Sequence, residues 1–317
     1  KAAENGRRDS EWDFGTNPCS EIILRPYQFC NLTEVVIRAT DSEKDLLAKV
    51  RAATILGTFQ STFTDFKYLR KQWIQNTEEE RLLGVSLTGI MDNKLTSNPN
   101  KEFLMRLRKE AVDTNKEFSK KLGIPQSTAI TCVKPSGTVS QLVDSASGIH
   151  SRHSQYYIRT VRGDKKDPLT TLMIEKGMPH EPDITKPDSV VVFSFPMKAP
   201  EGCITRNDLT AINQLETWLM YQRYWCEHKP SCTVSVREHE WLEVGAWVYE
   251  HFDEISGVSF LPHSEHVYQQ APYQDITKEE YLDAIKLMPQ HIDWAELSNY
   301  EEEDNTTGSQ ELACSSG

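Results

Sequence analysis

No stretch of eighteen or more apolar residues occurs in this 317-residue chain, so nothing in it reads as a membrane-spanning helix. The first ten residues, KAAENGRRDS, lack the apolar core of a secretory signal, which makes a cytoplasmic location, away from membranes, the expectation. Positive charge is also short. Lys and Arg number 35 against 47 Asp and Glu, a net charge of −12. Such a surface repels a phosphate backbone, so a nucleic-acid polymer is not an expected partner, whereas a local site for a small phosphorylated ligand stays open. Cysteine is sparse and irregular, with seven at 19, 30, 132, 203, 226, 232 and 314 and no CxxC. An odd, irregular set is a poor disulfide framework and points to a reducing compartment, where important thiols serve chemistry. Cys226, His228 and Cys232 lack a fourth zinc ligand nearby and read as packing residues around a helix–strand turn. His150 and His153 sit among Gly148, Ser151 and Ser154, a loop composition, and are not read as a metal pair.

What is present is a globular pattern, 38% apolar and 26% charged. Short apolar stretches at 21–25 and 34–38 suit strands. From Ser42 to Trp73 apolar residues recur at three- and four-residue steps (Leu46, Leu47, Val50, Ala53, Leu56, Phe59), the period of a helix. RLLGVSLTGI (81–90) reads as a buried strand, and 100–122 as a helix stopped by Gly123 and Pro125. A strand at 127–133 leads into KPSGTVSQLVDSASGIH (134–150). Strands at 190–196, 232–236 and 257–262 alternate with helices at 209–225 and 238–252. Such alternation predicts an α/β architecture with largely parallel strands. From Tyr300 the chain is acidic and polar, the composition of a disordered tail.

Two clusters carry chemistry. In NPCSEIILRPYQFCN an amide, a thiol and a carboxylate alternate, and in extended backbone Asn17, Cys19 and Glu21 would point to one side, with Cys30 eleven positions after Cys19. The plainer reading is a buried cysteine that packs. In KPSGTVS a strand runs into a helix start, where backbone amides favour phosphate, Ser136, Thr138 and Ser140 add hydroxyls and Gly137 admits a close backbone approach. The plainer reading here is an ordinary capped helix.

N-P-C-S-E followed by F-C-N-L-T-E resembles the active-site loop of ribonucleotide reductases. The resemblance implies that Cys19 becomes a transient thiyl radical that takes the 3′ hydrogen of the ribose. It implies that Glu21 accepts the 3′-hydroxyl proton as general base, and that Asn17 holds the ribose hydroxyls. Cys30 would be one of two thiols that reduce the 2′ position and end as a disulfide. P-S-G-T-x-S followed by S-G-I is similar to the loop that binds the substrate's phosphates in that family. It assigns substrate contact to Pro135, Ser136, Gly137, Thr138, Val139 and Ser140, with Gly148 and Ile149 closing that side of the pocket. The family's Gly-Ile-Glu-Pro is Gly-Ile-His-Ser here, so no role carries over to His150.

GVSFLP places Phe260 and Leu261 where class I reductases carry relay tyrosines, while Tyr156 and Tyr157 lie in another segment and read as packing. The resemblance therefore implies the class II kind, with adenosylcobalamin as cofactor. Its alternatives are a class I large subunit served by a metal-radical partner, or a non-catalytic binding or assembly module that keeps the fold. The implied fold is the C-terminal half of the ten-stranded α/β barrel of the reductase and glycyl-radical type, with the active-site cysteine on a loop inside the barrel. Residues 1–300 would form that half and 301–317 a flexible tail bearing the redox residue Cys314. Implied partners are a ribonucleoside di- or triphosphate, an N-terminal half not present in this chain, and a thioredoxin-type reductant.

Overall fold

The computed structural model describes residues 1–263 and 268–301; Cys314 and the rest of the tail lie outside the described residues. In chain order the elements are β1 (Gly15–Thr16), β2 (Ile23–Leu24), β3 (Asn31–Val36), α1 (Glu43–Gln60), α2 (Lys71–Glu80) and β4 (Leu83–Thr88). There follow α3 (Lys94–Ser97), α4 (Lys101–Leu122), α5 (Gly137–Leu142), β5 (Tyr156–Asp164), α6 (Pro168–Glu175), β6 (His180–Pro182) and β7 (Val190–Lys198). The last are α7 (Ala211–Tyr224), β8 (Cys232–Val236), α8 (Trp241–Glu250), β9 (Val258–Pro262), β10 (Tyr273–Asp275) and α9 (Lys278–Leu287). Two compact units result: Lys1–Arg152 with Pro200–His263, and His153–Ala199 with the described part of Ser264–Gly317. No helix among the described residues is long and apolar enough to cross a membrane.

The first unit is built on parallel pairing. β3 pairs with β4 (Asn31 opposite Leu83), and β8 with β9 (Cys232 opposite Val258). Parallel bridges Val85–Thr131 and Val133–Pro230 join the two pairs through the segment that the sequence marks as a strand at 127–133. Only bridges form there. All six residues of β4 are buried, as expected of a parallel strand covered on both faces. Its two hydroxyls are satisfied by loops: Lys134 N donates to Ser86 Oγ at 2.8 Å, and Thr88 Oγ1 donates to Ala146 O at 2.9 Å while accepting from Gly148 N at 3.0 Å.

Crossover helices cover this ladder. α1 starts at Ser42 with a capping box to Asp45 but ends at Gln60, so the helical period read to Trp73 is interrupted. The break falls at Ser61, whose Oγ donates back to Thr58 O at 2.7 Å, a local bond that competes with helix continuation. α4 runs from the Asn100 cap to Gly123 at φ +69°, as its composition predicts. α7 supplies the large core rings with their polar tips satisfied. Trp218 Nε1 donates to Pro230 O (3.0 Å) and Tyr221 Oη to Thr96 O (2.8 Å), and Trp225, just beyond the helix, donates from Nε1 to Cys132 O (2.8 Å).

The second unit departs from the parallel expectation. It holds a four-stranded antiparallel sheet, β10-β5-β7-β6, over a small core of Met173, Met178, Val191 and Phe193. Tyr156 and Tyr157 lie in β5, where Tyr157 is buried and packs near Tyr273 and His153.

The hairpin β1–β2 is fastened to the first unit by buried polar groups. Arg8 forms a two-pronged pair with Glu80 (2.9 Å on both prongs) and donates to Ile23 O at 2.8 Å. Gln28 donates to the same carboxylate and accepts from Arg25 N. Removing one member of a buried pair strands the other charge, which costs about 3–5 kcal/mol; Glu80→Gln is expected to lower stability by that order in urea unfolding. His228 makes the second tie. Its Nδ1 accepts from Ile23 N at 3.2 Å, which leaves Nε2 to donate to Leu83 O at 2.9 Å. Burial, with Arg8 nearby, depresses its pKa from 6.5 to about 3. The unfolded chain then takes up a proton below pH 6.5 that the folded chain refuses, so this contribution is complete above pH 6.5 and is lost as pH falls toward 3. The stability difference between wild type and His228→Gln, measured by urea unfolding at several pH values, is expected to shrink by about 1.4 kcal/mol per pH unit below 6.5.

Candidate functional site

The loop between β1 and β2 does not take the extended form that would align Asn17, Cys19 and Glu21. Pro18 and Cys19 form a turn closed by Ser20 N donating to Asn17 O at 2.9 Å, with Ser20 at φ +66°. Asn17 fastens the loop: its Oδ1 accepts from Ile22 N at 3.0 Å, and its N donates to Ile22 O at 3.3 Å. The turn leaves Cys19 exposed at the tip and Glu21 fully buried. One side chain from another element reunites them. Lys134 Nζ lies 3.1 Å from Glu21 Oε1 and 4.0 Å from Cys19 Sγ. Glu21 Oε2 is buried and has no hydrogen-bond partner. Cys30, just before β3, has its thiol pushed far above the ordinary range, first by burial and then by the charge of Glu21.

Gly84 explains how the loop packs against β4. A Cβ there would lie 2.4 Å from Leu32 Cδ2 and 2.9 Å from Ile22 Cδ1, so the strand must be bare at that point.

A cavity of about 500 Å³ opens beside Cys19, lined by Leu32, Thr33, Glu34, Ser86 and residues 134–139. This size lies within the range of small-molecule sites, about 300–1,000 Å³. Ser136 takes the left-handed conformation (φ +56°) and makes no side-chain cap bond, so the loop is not an ordinary capped helix. The first amides of α5 have no intrahelical acceptor, and Lys134, paired with Glu21, and Glu34 bring charges of opposite sign to the same cavity. Thr33 Oγ1 is buried without a hydrogen-bond partner, and Glu34 Oε1 and Ser136 Oγ are buried with no well-formed bond, although Ser136 stands close enough to Glu34 to act on its carboxyl. Native proteins rarely leave such atoms bare, and a cluster around a cavity calls for a polar occupant.

The sequence assignments divide accordingly. Cys19 and residues 135–139 line the cavity; Asn17, Glu21, Cys30, Ser140, Gly148 and Ile149 are not among its lining residues. Ser140 is buried, sharing a 2.8 Å hydrogen bond with Ser147. Gly148 sits at φ +55°, and a Cβ there would lie 2.3 Å from Lys134 O, so glycine lets the 144–148 loop pass directly under the 134–137 turn. Ile149 is core. The same loop is held by Arg152, which pairs with Asp92 at 2.8 and 2.9 Å and with Asp144 at 2.7 Å. His150 has both nitrogens engaged, Nε2 accepting from Thr233 N at 3.0 Å and Nδ1 donating to Ser147 O at 2.9 Å, and burial lowers its pKa.

Glu34, Lys134, Thr33 and Ser86 belong to the site and were not singled out from sequence. Glu34 carried a signal, a carboxylate inside an apolar strand, which is rarely enclosed without a task. Burial raises its pKa against the pull of Ser136 and Lys134.

No protein-family model matches the chain. It is 32% identical over 297 residues to a Dictyostelium discoideum protein named probable adenosylcobalamin-dependent ribonucleoside-triphosphate reductase, an alignment covering 90% of this chain and 38% of the relative. It is 29% identical to the adenosylcobalamin-dependent ribonucleoside-triphosphate reductase of Euglena gracilis, covering 91% and 40%. The chain thus spans about two fifths of the length of these curated relatives. Among solved structures, a B12-dependent (class II) ribonucleotide reductase superposes with a TM-score of 0.78 at 25% identity, over 95% of this chain and 45% of that one. The alpha subunit of the Actinobacillus ureae class Id ribonucleotide reductase, at 14% identity and TM-score 0.50 over 82% of this chain and 55% of that one, shares the fold alone. Over about 90% of its length, the chain is similar to adenosylcobalamin-dependent (class II) ribonucleotide reductases.

Proposed function

We propose that this chain is part of the catalytic region of a ribonucleotide reductase that makes 2′-deoxyribonucleotides from ribonucleoside triphosphates by thiyl-radical chemistry, together with an N-terminal half outside this chain. The observation that carries the reading is the cavity. An exposed thiol lines it, a turn with free backbone amides and Lys134 forms one wall, and buried polar side chains of Thr33, Glu34 and Ser136 line it too. A nucleotide offers what such a site lacks, hydroxyls and a phosphate chain. The triphosphate is preferred over the diphosphate because the relatives' names specify it.

In this reading residues 135–139 hold the phosphates and the ribose lies toward Cys19. When bound, adenosylcobalamin supplies the radical equivalent that takes the hydrogen atom from the Cys19 thiol. The Cys19 radical takes the 3′ hydrogen, and Glu21 Oε2, an acceptor with no partner of its own, takes the 3′-hydroxyl proton. Asn17, with Oδ1 committed to the loop, offers its amide N–H groups to the sugar hydroxyls. The 2′ oxygen leaves as water with a proton from one thiol, C2′ takes a hydrogen from the other, and Cys30 and a second thiol from outside this chain, having given up two electrons, join as a disulfide. Burial keeps the Cys30 thiol protonated until then. Glu21 then returns its proton to the 3′ oxygen and Cys19 its hydrogen to C3′, which restores the Cys19 radical. Re-reduction would pass through Cys314 of the tail at 301–317 to a thioredoxin-type protein, in a cytoplasmic setting.

Residues 1–300 would form the C-terminal half of a ten-stranded barrel, with the Cys19 loop inside it. Five parallel segments in chain order support this: β3, β4, the 131–133 segment, β8 with Pro230, and β9. Among the described residues, the outer edges of β3 and β9 carry no further strand.

The test is a reduction assay on the complete enzyme containing this chain, with and without adenosylcobalamin. Deoxynucleotide is expected only with the cofactor, and Cys19→Ser is expected to yield none while assembly with the N-terminal half persists. Product from the Cys19→Ser enzyme would end this reading. Activity that requires a metal-radical subunit would instead place the chain with class I. Glu21→Gln is expected to lower kcat by about 10²–10⁴. Ser136→Ala removes a bond to a charged phosphate, about 1.5–3 kcal/mol, and is expected to raise KM tenfold or more in steady-state kinetics while kcat changes little.

A further inference from the structure

Lys134 opens the phosphate turn in sequence, yet its amine is turned to other groups. Its Nζ contacts Glu21 Oε1 (3.1 Å) and stands 4.0 Å from Cys19 Sγ. Among the described residues it is the cation paired with Glu21. A carboxylate buried with one bare oxygen is tolerable only if the other oxygen is neutralised. Glu21 in turn holds the ammonium: burial works against its charge, but the bond to Glu21 and the nearby negative charge more than offset it, and the pKa is raised. The side chain is about a third exposed, so the charge faces the cavity as well.

A second lysine grips the same turn from the neighbouring segment. Lys229 Nζ donates to Ser20 Oγ at 3.0 Å, and its backbone N donates to Glu21 O at 3.0 Å. The two lysines flank the Val133–Pro230 bridge, so the parallel ladder itself fixes their spacing. Between them the turn at 19–21 is held although Ser20 has a positive φ.

We propose that Lys134 is a positioning residue. It ties down Oε1 of Glu21 so that Oε2 is the oxygen left for a ligand hydroxyl, and it sets a positive charge against the Cys19 thiol. The inference rests on the reading above, in which Cys19 and Glu21 act on one sugar, and it adds the group that orders them. Lys134 thereby serves the carboxylate and thiol, while the turn at 135–139 serves the phosphates.

The charge can be read without catalysis. Cys19 of the chain is alkylated with iodoacetate, an anion, and with neutral iodoacetamide, and modification at Cys19 is followed by peptide mass spectrometry. A unit charge 4 Å away in a water-like setting favours the anionic reagent by about fivefold. K134M is expected to lower the iodoacetate-to-iodoacetamide rate ratio by that factor, and K134R to keep it. K134Q retains a hydrogen-bond donor for Glu21 without the charge, so it is expected to behave as K134M, and it stands in if K134M does not fold. In the complete enzyme, K134M is expected to cut kcat about 100-fold with KM within about threefold, and K134R to recover most of the loss. An unchanged alkylation ratio in both K134M and K134Q would overturn the proposal. So would a raised KM with kcat intact, which would make Lys134 a phosphate ligand. A Cys19→Ser enzyme that still made deoxynucleotide would sink the catalytic reading instead, and the alkylation ratio would report on Lys134 regardless.

Discussion

Backbone pairing between parallel segments is the constraint on which the site depends. Each segment of the first unit must satisfy its amides and carbonyls against a neighbour, and the functional groups ride on the points where pairing ends. Lys134 follows the bridge at Val133 and Lys229 precedes its partner Pro230, whereas Glu34 sits within the β3–β4 pairing, opposite Ser86. The cavity is therefore a by-product of the ladder. Its walls are placed by main-chain bonds, and side-chain packing only trims them.

Buried charge does the remaining fastening. Three ionic clusters, Arg8–Glu80, Arg152–Asp92–Asp144 and Lys134–Glu21, each join a loop to the ladder. Such pairs add little net stability over apolar packing, but breaking one leaves a stranded charge, so each defines one arrangement of its loop.

Much of this was legible in the sequence, and the failures have physical causes. α4 was bounded by its Asn100 and Gly123 caps, and the strand at β4 was read from RLLGVSLTGI with its glycines at 84 and 89, because each carries its signal locally. The helix read to Trp73 stopped at Gln60 because a serine hydroxyl competes for the backbone, an effect that periodicity does not register. The antiparallel sheet escaped notice because β6 and β10 are three residues each and their pairing comes from β5 and β7. At the site, residue types were readable and geometry was not. Asn17, Cys19 and Glu21 were found by spacing, but a turn replaced the extended strand, and Lys134, more than a hundred positions away, supplies the link. Long-range partners of this kind leave no local pattern.

Among the described residues, the outer edges of β3 and β9 carry no further strand. An unpaired parallel edge is a template for whatever strand arrives first. A second copy of the described chain offers the same main-chain donors and acceptors, so held alone in solution it would pair with itself, to a degree that rises with the square of its concentration.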